Sequence, residues 1–564
     1  MFVHRKINCL LLHSVNYMAR PGADYYRKER FIKFVVRYGN KDIIELDKDG
    51  KPISIRPTPM HDAARLKLLQ RNEMVRKLFK KYERLKVDYV DDPLLSLAIK
   101  KELKNVIEFL LKVGADPNSA NNQRSTPLHL ICADDDGFME HFLDTCKSIN
   151  APVQVNAQDF EDKTPLHIAL VRVKETHHEW LHDRLQEICL EAQNASDRPS
   201  QRMTVDDESV RSVELLLRAG ADPNVADAEG STALHVICKR DDDNDNLMKM
   251  LFAICDEVGM TVQVDVQDNA DNTPLHLALK KAHIALTEVL LKRDADPNVA
   301  NNEGNRPLHV ICNRKIDDNL MKLFLELCKD LNNKMLVDLE NELHKTPLQL
   351  AVEYLMPDVV YALLHYGTDL PSFVFPSAAD FKEYLTVKMF ESPRSRLRCD
   401  VITDALFVIR HLESAKCELD LNEAVMIMSV FAECGSFEMS ASLVERLSRE
   451  KYFSMEAQKI QTSEGLSLYD LMKLPIDEAA RRFNYKDFKS TLRTLGVMAR
   501  NDRAKLDAVA GAISLREFFQ NCAVEAFWEL THQRIPIECC TMIIDKLAIE
   551  DLYHICLAFA SLSQ

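Results

Sequence analysis

Glycine is scarce in this chain, at 14 of 564 residues. No G-x-G-x-x-G, no Gly-rich phosphate loop and no G-x-S-x-G elbow occurs, which sets aside most nucleotide enzymes and the elbow-type hydrolases. No apolar run approaches the roughly 18 residues a membrane helix needs. The run near the start, Ile7-Asn8-Cys9-Leu10-Leu11-Leu12, is too short for a signal-peptide core. Positive charge is in deficit: 72 Lys and Arg against 87 Asp and Glu give 72 − 87 = −15. A chain so acidic gains nothing from displacing counterions on a polyanion, so nucleic acid is not an expected partner. Neither is a membrane.

What is present is core material. Apolar residues make up 46% of the chain, enough to exclude wholesale disorder, and the length suggests about three to five units. Fifteen cysteines without a secretory signal fit free thiols in a reducing compartment. The expected location is the cytoplasm, or the nucleus. The basic stretch Arg76-Lys77 with Lys80-Lys81 reads as a wet helix face rather than an address.

The chain repeats itself. A Thr-Pro-Leu-His stem recurs, with drift, at Thr58, Thr126, Thr164, Thr232, Thr273, Arg306 and Thr346, and a degenerate copy begins at Asp92. The start-to-start steps are 34, 34, 38, 68, 41, 33 and 40. Thr suits a helix N-cap and Pro the first helical position. The second helix of a unit ends at Gly-Ala-Asp-Pro-Asn in Gly114–Asn118 and Gly220–Asn224, and at Asp294–Asn298 in a variant. Glycine there provides a left-handed cap, and Asp-Pro-Asn a turn.

The stems and turns resemble the ankyrin family over about Arg56 to Asp369, with a repeat near 33 residues. The resemblance implies an all-α solenoid of about eight stacked helix pairs. It also makes the stem histidines structural rather than catalytic. Cys-type repeats (Cys132, Cys238, Cys312) alternate with Leu-type ones (Leu170, Leu279), and a second cysteine follows at Cys146, Cys255 and Cys328. These read as small apolar fillers, since no zinc-ligand spacing accompanies them. The turns Asp134-Asp135-Asp136, Asp241-Asp242-Asp243 and Asp317-Asp318 read as solvated loops. The 68-residue step marks an insertion at about 172–208. It holds His178-Glu179-Trp180-Leu181-His182, a zincin-like H-E-x-x-H with no continuation and no placed third ligand. We expect no metal, no cofactor and no enzyme activity.

Beyond the repeats, 371–399 reads as a linker containing Pro371, Pro376 and Pro393. From Asp400 a helical bundle is expected, with helices over 401–414, 422–433, 436–449, 466–473, 476–483, 486–495, 515–530, 536–547 and 550–559. Two segments stand out: Ser467-Leu468-Tyr469-Asp470-Leu471, and Ile535-Pro536-Ile537-Glu538 followed by Ile544, Leu547 and Asp551-Leu552. Pro536 suits a helix start, and Ile537, Cys540, Ile544 and Leu547 share one stripe at helical spacing.

Ankyrin repeats followed by these two segments resemble the PRANC architecture of poxviral, insect and bacterial ankyrin proteins, which ends in an F-box-like segment. The resemblance divides the chain into an N-terminal segment (1–55), repeats (56–370), linker (371–399), a helical region (400–464) and a PRANC/F-box-like domain (465–564). It implies docking on the Skp-type adaptor of a cullin–RING ubiquitin ligase through Pro536, Ile537, Ile544, Leu547 and Leu552. Ankyrin geometry places target contacts at the hairpin tips Asn121, Asn122, Gln123, Glu229, Asn301, Asn302 and Glu303. It adds the inner-helix charges Lys239, Arg240, Lys280, Lys281 and Arg314. The rival reading is a plain ankyrin scaffold or immune-pathway inhibitor without a ligase link.

Overall fold

The computed structural model describes most of residues 94–173, 208–368, 373–377, 395–433, 465–474 and 518–562, with a few single residues between them. The stem at Thr58, the basic stretch, the body of the insertion with His178 and His182, and the helices expected at 436–449, 476–483 and 486–495 lie outside the described residues. Among the described residues every regular element is a helix, and the extended pairing is a single bridge between Gln461 and Ser467. No described helix is long and apolar enough to cross a membrane. The chain divides into two compact units, 1–302 and 303–564, taken in turn.

The first unit is built of helix pairs: Leu94–Ile99 with Lys104–Lys112, Pro127–Ala133 with Met139–Ser148, Pro165–Arg172 with Glu208–Arg218, Ala233–Lys239 with Asn246–Val258, and Pro274–Lys280 with Ile284–Lys292. First helices pack on first helices and second on second, giving two layers. No pair could bury its apolar face alone. Leu128, Leu170, Leu234, Leu251, Leu275 and Leu290 are sealed only because neighbouring pairs cover them.

The stem works as its residue types require. Thr164 is extended (φ −85°, ψ 163°), Pro165 opens the helix, and a capping box joins Thr164 to His167. At the far end, Gly220 takes φ +91°. Ala221 N–H then reaches the Leu216 carbonyl at 2.9 Å, and Gly220 N–H the Leu217 carbonyl at 3.0 Å. This is the Schellman closure. The variant turn replaces glycine by Asp294 at φ +64° and keeps the same bonds, to Leu290 and Leu291. Asparagine ends the motif for a reason the turn alone does not reveal. Asn224 donates to the Thr261 carbonyl at 2.8 Å and accepts from Gln263 N–H at 2.7 Å, so it ties one repeat to the next. Asn118 does the same with Pro152 and Gln154.

The second unit begins with two more pairs, Pro307–Asn313 with Leu320–Asp330 and Pro347–Glu353 with Pro357–Tyr366. Helix Ser395–Ser414 packs on Pro357–Tyr366. It starts inside the stretch expected to be linker, two residues after Pro393 in the sequence. The residues before it are not plain linker either. Val374 offers its carbonyl to Gln349 Nε2 at 3.2 Å, the bond that the next repeat supplies elsewhere. Asp380 lies 3.5 Å from Lys345, and Tyr384 is buried with its ring 5.2 Å from that of Tyr354. Further on, helix Leu421–Glu433 packs against Ile549–Leu562, and Phe519 of the 518–530 helix lies against Tyr553.

Two substitutions test this account. A Cβ on Gly230, at φ +77°, would sit 2.7 Å from Asn269 N of the next hairpin. Gly230→Ala is expected to lower the unfolding free energy by about 1–3 kcal/mol, read by urea unfolding. Asp243 accepts from Ala285 N and Leu286 N, both at 3.1 Å, at the start of the next repeat's second helix. Asp243→Ala is expected to cost about 1 kcal/mol and to speed amide exchange at 284–287, although no residue of that helix is changed.

Candidate protein-binding surface

Between the pairs, each repeat projects a tight hairpin, and one acidic or amide side chain organises it. Asp227 Oδ1 accepts from Glu229 N at 2.9 Å and Ser231 N at 2.8 Å. Asn121, Asp159 and Asp268 bind the residues two and four further on in the same way. These are Asx-turns, which fold the backbone back without help from solvent. The fourth tip residue must be left-handed: Gly230, but also Arg124 (φ 57°), Asp162 (φ 53°) and Asp271 (φ 56°). Polar residues tolerate that region, so the array manages with few glycines.

Consecutive tips are also bonded to each other. Phe160 N–H meets the Gln123 carbonyl at 2.9 Å, Ala228 N–H meets Glu161 at 2.9 Å, Asn269 N–H meets Glu229 at 2.9 Å, and Asn302 N–H meets Ala270 at 3.2 Å. In the second unit Glu342 N–H meets Glu303 at 3.1 Å. The tips therefore form a fixed row, and their side chains are presented without an ordering cost at binding.

The expected contact residues fall into two groups. Asn122, Gln123, Asn302 and Glu303 are exposed at tips, and Glu229 is exposed with an ion pair to Lys239 at 2.8 Å. That hydrogen bond holds the Glu229 carboxyl below its ordinary range. Lys280 is exposed, and Lys281 bonds to Asp241 at 2.5 Å. Asn121 spends its side-chain oxygen inside its own turn, and Asn301 donates to Asn272 at 3.0 Å.

Two charges do not belong to a free face. The Arg240 side chain is 12% exposed, paired with Asp242 at 2.8 Å and donating to the Leu170 carbonyl at 3.0 Å. Arg314 is 11% exposed and paired with Asp318 at 2.9 Å. Both follow the first helix directly, where the chain turns inward and the guanidinium fork binds the acidic turn. The acidic turns at 241–243 and 317–318 are accordingly more than solvated loops, and Asp134-Asp135-Asp136 lies outside the described residues. Asp243, and Asp317 in the second unit, cap the second helix of the following repeat.

Sequence reading overlooked two side chains. Phe160 is 75% exposed directly after its tip's Asx residue, and Leu343 is 72% exposed two residues after Asn341 in the second unit. Aligning the tips on their Asx residues finds both, because the other repeats carry polar or small residues at each of those two positions. The opposite, second-helix side of the first unit is occupied by cross-repeat ion pairs: Arg211–Glu140 (2.6 Å), Arg218–Glu257 (3.1 Å) and Arg293–Asp256 (2.8 Å).

The repeat cysteines line no site. All six are buried. Burial pushes Cys132, Cys238 and Cys312 far up, Cys146 and Cys255 to about 11, and Cys328 to about 12. A thiol so protonated is a poor nucleophile at neutral pH. Among the described residues no group of three His, Cys, Asp or Glu is placed to hold a metal ion.

In the tail, Pro536 caps helix Ile537–Ile544. Ile544 and Leu552, expected at a docking face, are fully buried, as is Cys540, and Leu547 is half-buried. The expected stripe is therefore mostly internal packing: of its four residues only Ile537 is exposed. Ile537 (47% exposed), Met542 (64%) and Ile543 (41%) form the apolar exposure of this helix.

A model of ankyrin repeats in three copies matches residues 203–301 and 283–373. The NAD-dependent deacetylase sir2B of Dictyostelium discoideum is 27% identical over 44% of this chain and 31% of its own length. The E3 ubiquitin-protein ligase KEG of Arabidopsis thaliana is 26% identical over 47% of this chain and 16% of its own. The chain thus spans less than a third of either relative. The crystal structure of the ankyrin repeat domain of Bcl-3, a member of the IkappaB protein family, aligns over 46% of this chain and 95% of that one, at 21% identity and a TM-score of 0.32. Stems, caps, hairpins and the family match agree: the chain carries ankyrin repeats.

Proposed function

We propose that this protein is a non-catalytic binding adaptor: its ankyrin repeats hold a target protein and its tail docks on the Skp-type adaptor of a cullin–RING ubiquitin ligase. Ankyrin repeats make a protein-binding scaffold the natural reading. The observation that carries the target half is the row of hairpin tips, rigid and cross-bonded, with Phe160 at 75% exposure among polar neighbours. An aromatic side chain on a preorganised loop is the usual anchor of an interface. Contact is assigned to Phe160 with Asn122, Gln123 and Glu229 in the first unit, and to Leu343 with Glu303 in the second. A bound target would then be held near the recruited machinery at high effective concentration.

The ligase half rests on the Ile535-Pro536-Ile537-Glu538 segment and its resemblance to the F-box pattern. The docking side chains assigned here are Pro536, Ile537, Met542 and Ile543, which are exposed, with Leu547 at the margin. Ile544 and Leu552 hold the tail together. That one relative is itself an E3 ubiquitin-protein ligase fits this reading without testing it. The domain limits proposed with it are 56–370 for the repeats and 465–564 for the F-box-like tail.

Two experiments separate the parts. Full-length protein should capture a purified Skp-type adaptor. Ile537→Asp combined with Ile543→Asp should abolish capture with the helical circular dichroism unchanged, whereas Ile544→Asp should unfold the tail. If the intact chain captures none, the ligase half is wrong and the scaffold reading stands. On the repeats, Phe160→Ala should reduce recovery of co-purifying target at least several-fold while unfolding stays within about 0.5 kcal/mol. Arg240→Ala should instead destabilise by about 1–3 kcal/mol, because it leaves Asp242 without its buried partner.

A further inference from the structure

The stem histidines close each repeat onto the next, and their geometry fixes their protonation. Thr126 N–H donates to His129 Nδ1 at 3.1 Å. Nδ1 is therefore an acceptor, and the ring proton sits on Nε2, which donates to the Lys163 carbonyl at 2.9 Å. His167 receives Thr164 N–H at 3.2 Å and reaches the Ser231 carbonyl at 2.8 Å. His235 receives Thr232 N–H at 3.2 Å and reaches the Asn272 carbonyl at 2.9 Å. All three rings are buried, at 2% exposure or less.

We propose that this ladder makes the first unit acid-sensitive: a proton on Nδ1 turns the acceptor into a donor facing another donor, strands the threonine N–H, and loosens one repeat from the next. The threonine hydroxyl, 2.8–2.9 Å from each Nδ1, can take the new proton but cannot serve the stranded amide. Surrounding charges divide. Asp159 faces His129; Asp159, Asp227 and Lys163 face His167; Asp227, Asp268 and Lys239 face His235. The carboxylates favour the cation and the lysines oppose it, but burial is the largest influence and holds all three rings below their ordinary 6.5. The unfolded chain therefore binds more protons in this window. Stability is fully present above about pH 6.5 and falls as pH drops toward the folded values. The rungs act together, and His276, buried and receiving Thr273 N–H at 3.2 Å, is a fourth acceptor of the same kind in this unit.

The chain holds its own control. In the second unit Gln349 takes the histidine's place: its Oε1 accepts from Thr346 N–H at 2.8 Å and its Nε2 donates to the Val374 carbonyl at 3.2 Å. An amide keeps both bonds and does not titrate.

The test is hydrogen exchange with mass spectrometry on the full chain at about pH 7.5 and about pH 5.5, bracketing the ordinary imidazole value, with protection factors corrected for intrinsic exchange. Helices Pro127–Ala133, Pro165–Arg172 and Ala233–Lys239 should lose protection at the lower pH, by several-fold more than Pro347–Glu353. The triple variant H129Q, H167Q, H235Q should abolish that difference. Should the triple variant fail to fold, H235Q alone should abolish it locally at 233–239. An unchanged pH response in either variant, or equal loss at the Gln349 stem, would overturn the proposal.

Discussion

One imidazole, neutral and held by two hydrogen bonds, is the joint on which the repeats depend. It accepts from the backbone of its own turn and donates to the backbone of the next, so local folding and stacking are satisfied by the same ring. Neither bond is strong in isolation, and each is worth on the order of 1 kcal/mol net. Their importance lies in what they spare. The carbonyls at Lys163, Ser231 and Asn272 sit where hairpin meets helix, and without a donor they would be polar groups left unpaired beside a core. A side chain of another length would miss one end or the other. At the Thr346 stem Gln349 replaces it, with an amide that reproduces the donor and acceptor positions.

The same economy recurs in the other connections. Asn118 and Asn224 each bind the following repeat through both ends of an amide. Asp243 and Asp317 each finish a helix that belongs to the following repeat. The hairpin tips are bonded main chain to main chain. A repeat is thus stitched to its successor at the hairpin, at the stem, at the turn after the second helix and at the acidic loop. With stitching at four places, the tips are held by their backbone, and that leaves exposed side chains such as Phe160 and Asn122 available for recognition.

Much of this was legible in the amino acids. The stem, the proline at the helix start and the left-handed cap are local devices, each with its own residue signature, and the structure puts them where the signatures fall. The structural role of the stem histidines and the burial of the repeat cysteines were also readable, since neither came with a converging set of ligands. What was not readable depends on distance. That Arg240 and Arg314 turn inward, while Lys280 faces out, is decided by acidic residues a few positions further along meeting them across a turn. In the tail, a stripe at helical spacing marks which side of Ile537–Ile544 is apolar but not which part of it a neighbouring helix covers. Ile544 and Leu552 went to the interior, and Ile537, Met542 and Ile543 did not. Phe160 was hard to read for a simpler reason: charged and amide residues mark the tips, and an isolated aromatic among them carries no motif.

The cap that Asp243 lends to the helix at Ile284 shifts where one building block ends and the next begins. Sequence comparison cuts the array at each threonine, so Asp243 falls in one segment and the helix it finishes in another. Excising or transplanting a segment along those cuts would behead the incoming helix and leave an idle carboxylate behind. Any exchange of modules in this protein, by recombination or at the bench, keeps its joints only when the acidic loop travels with the helix downstream of it.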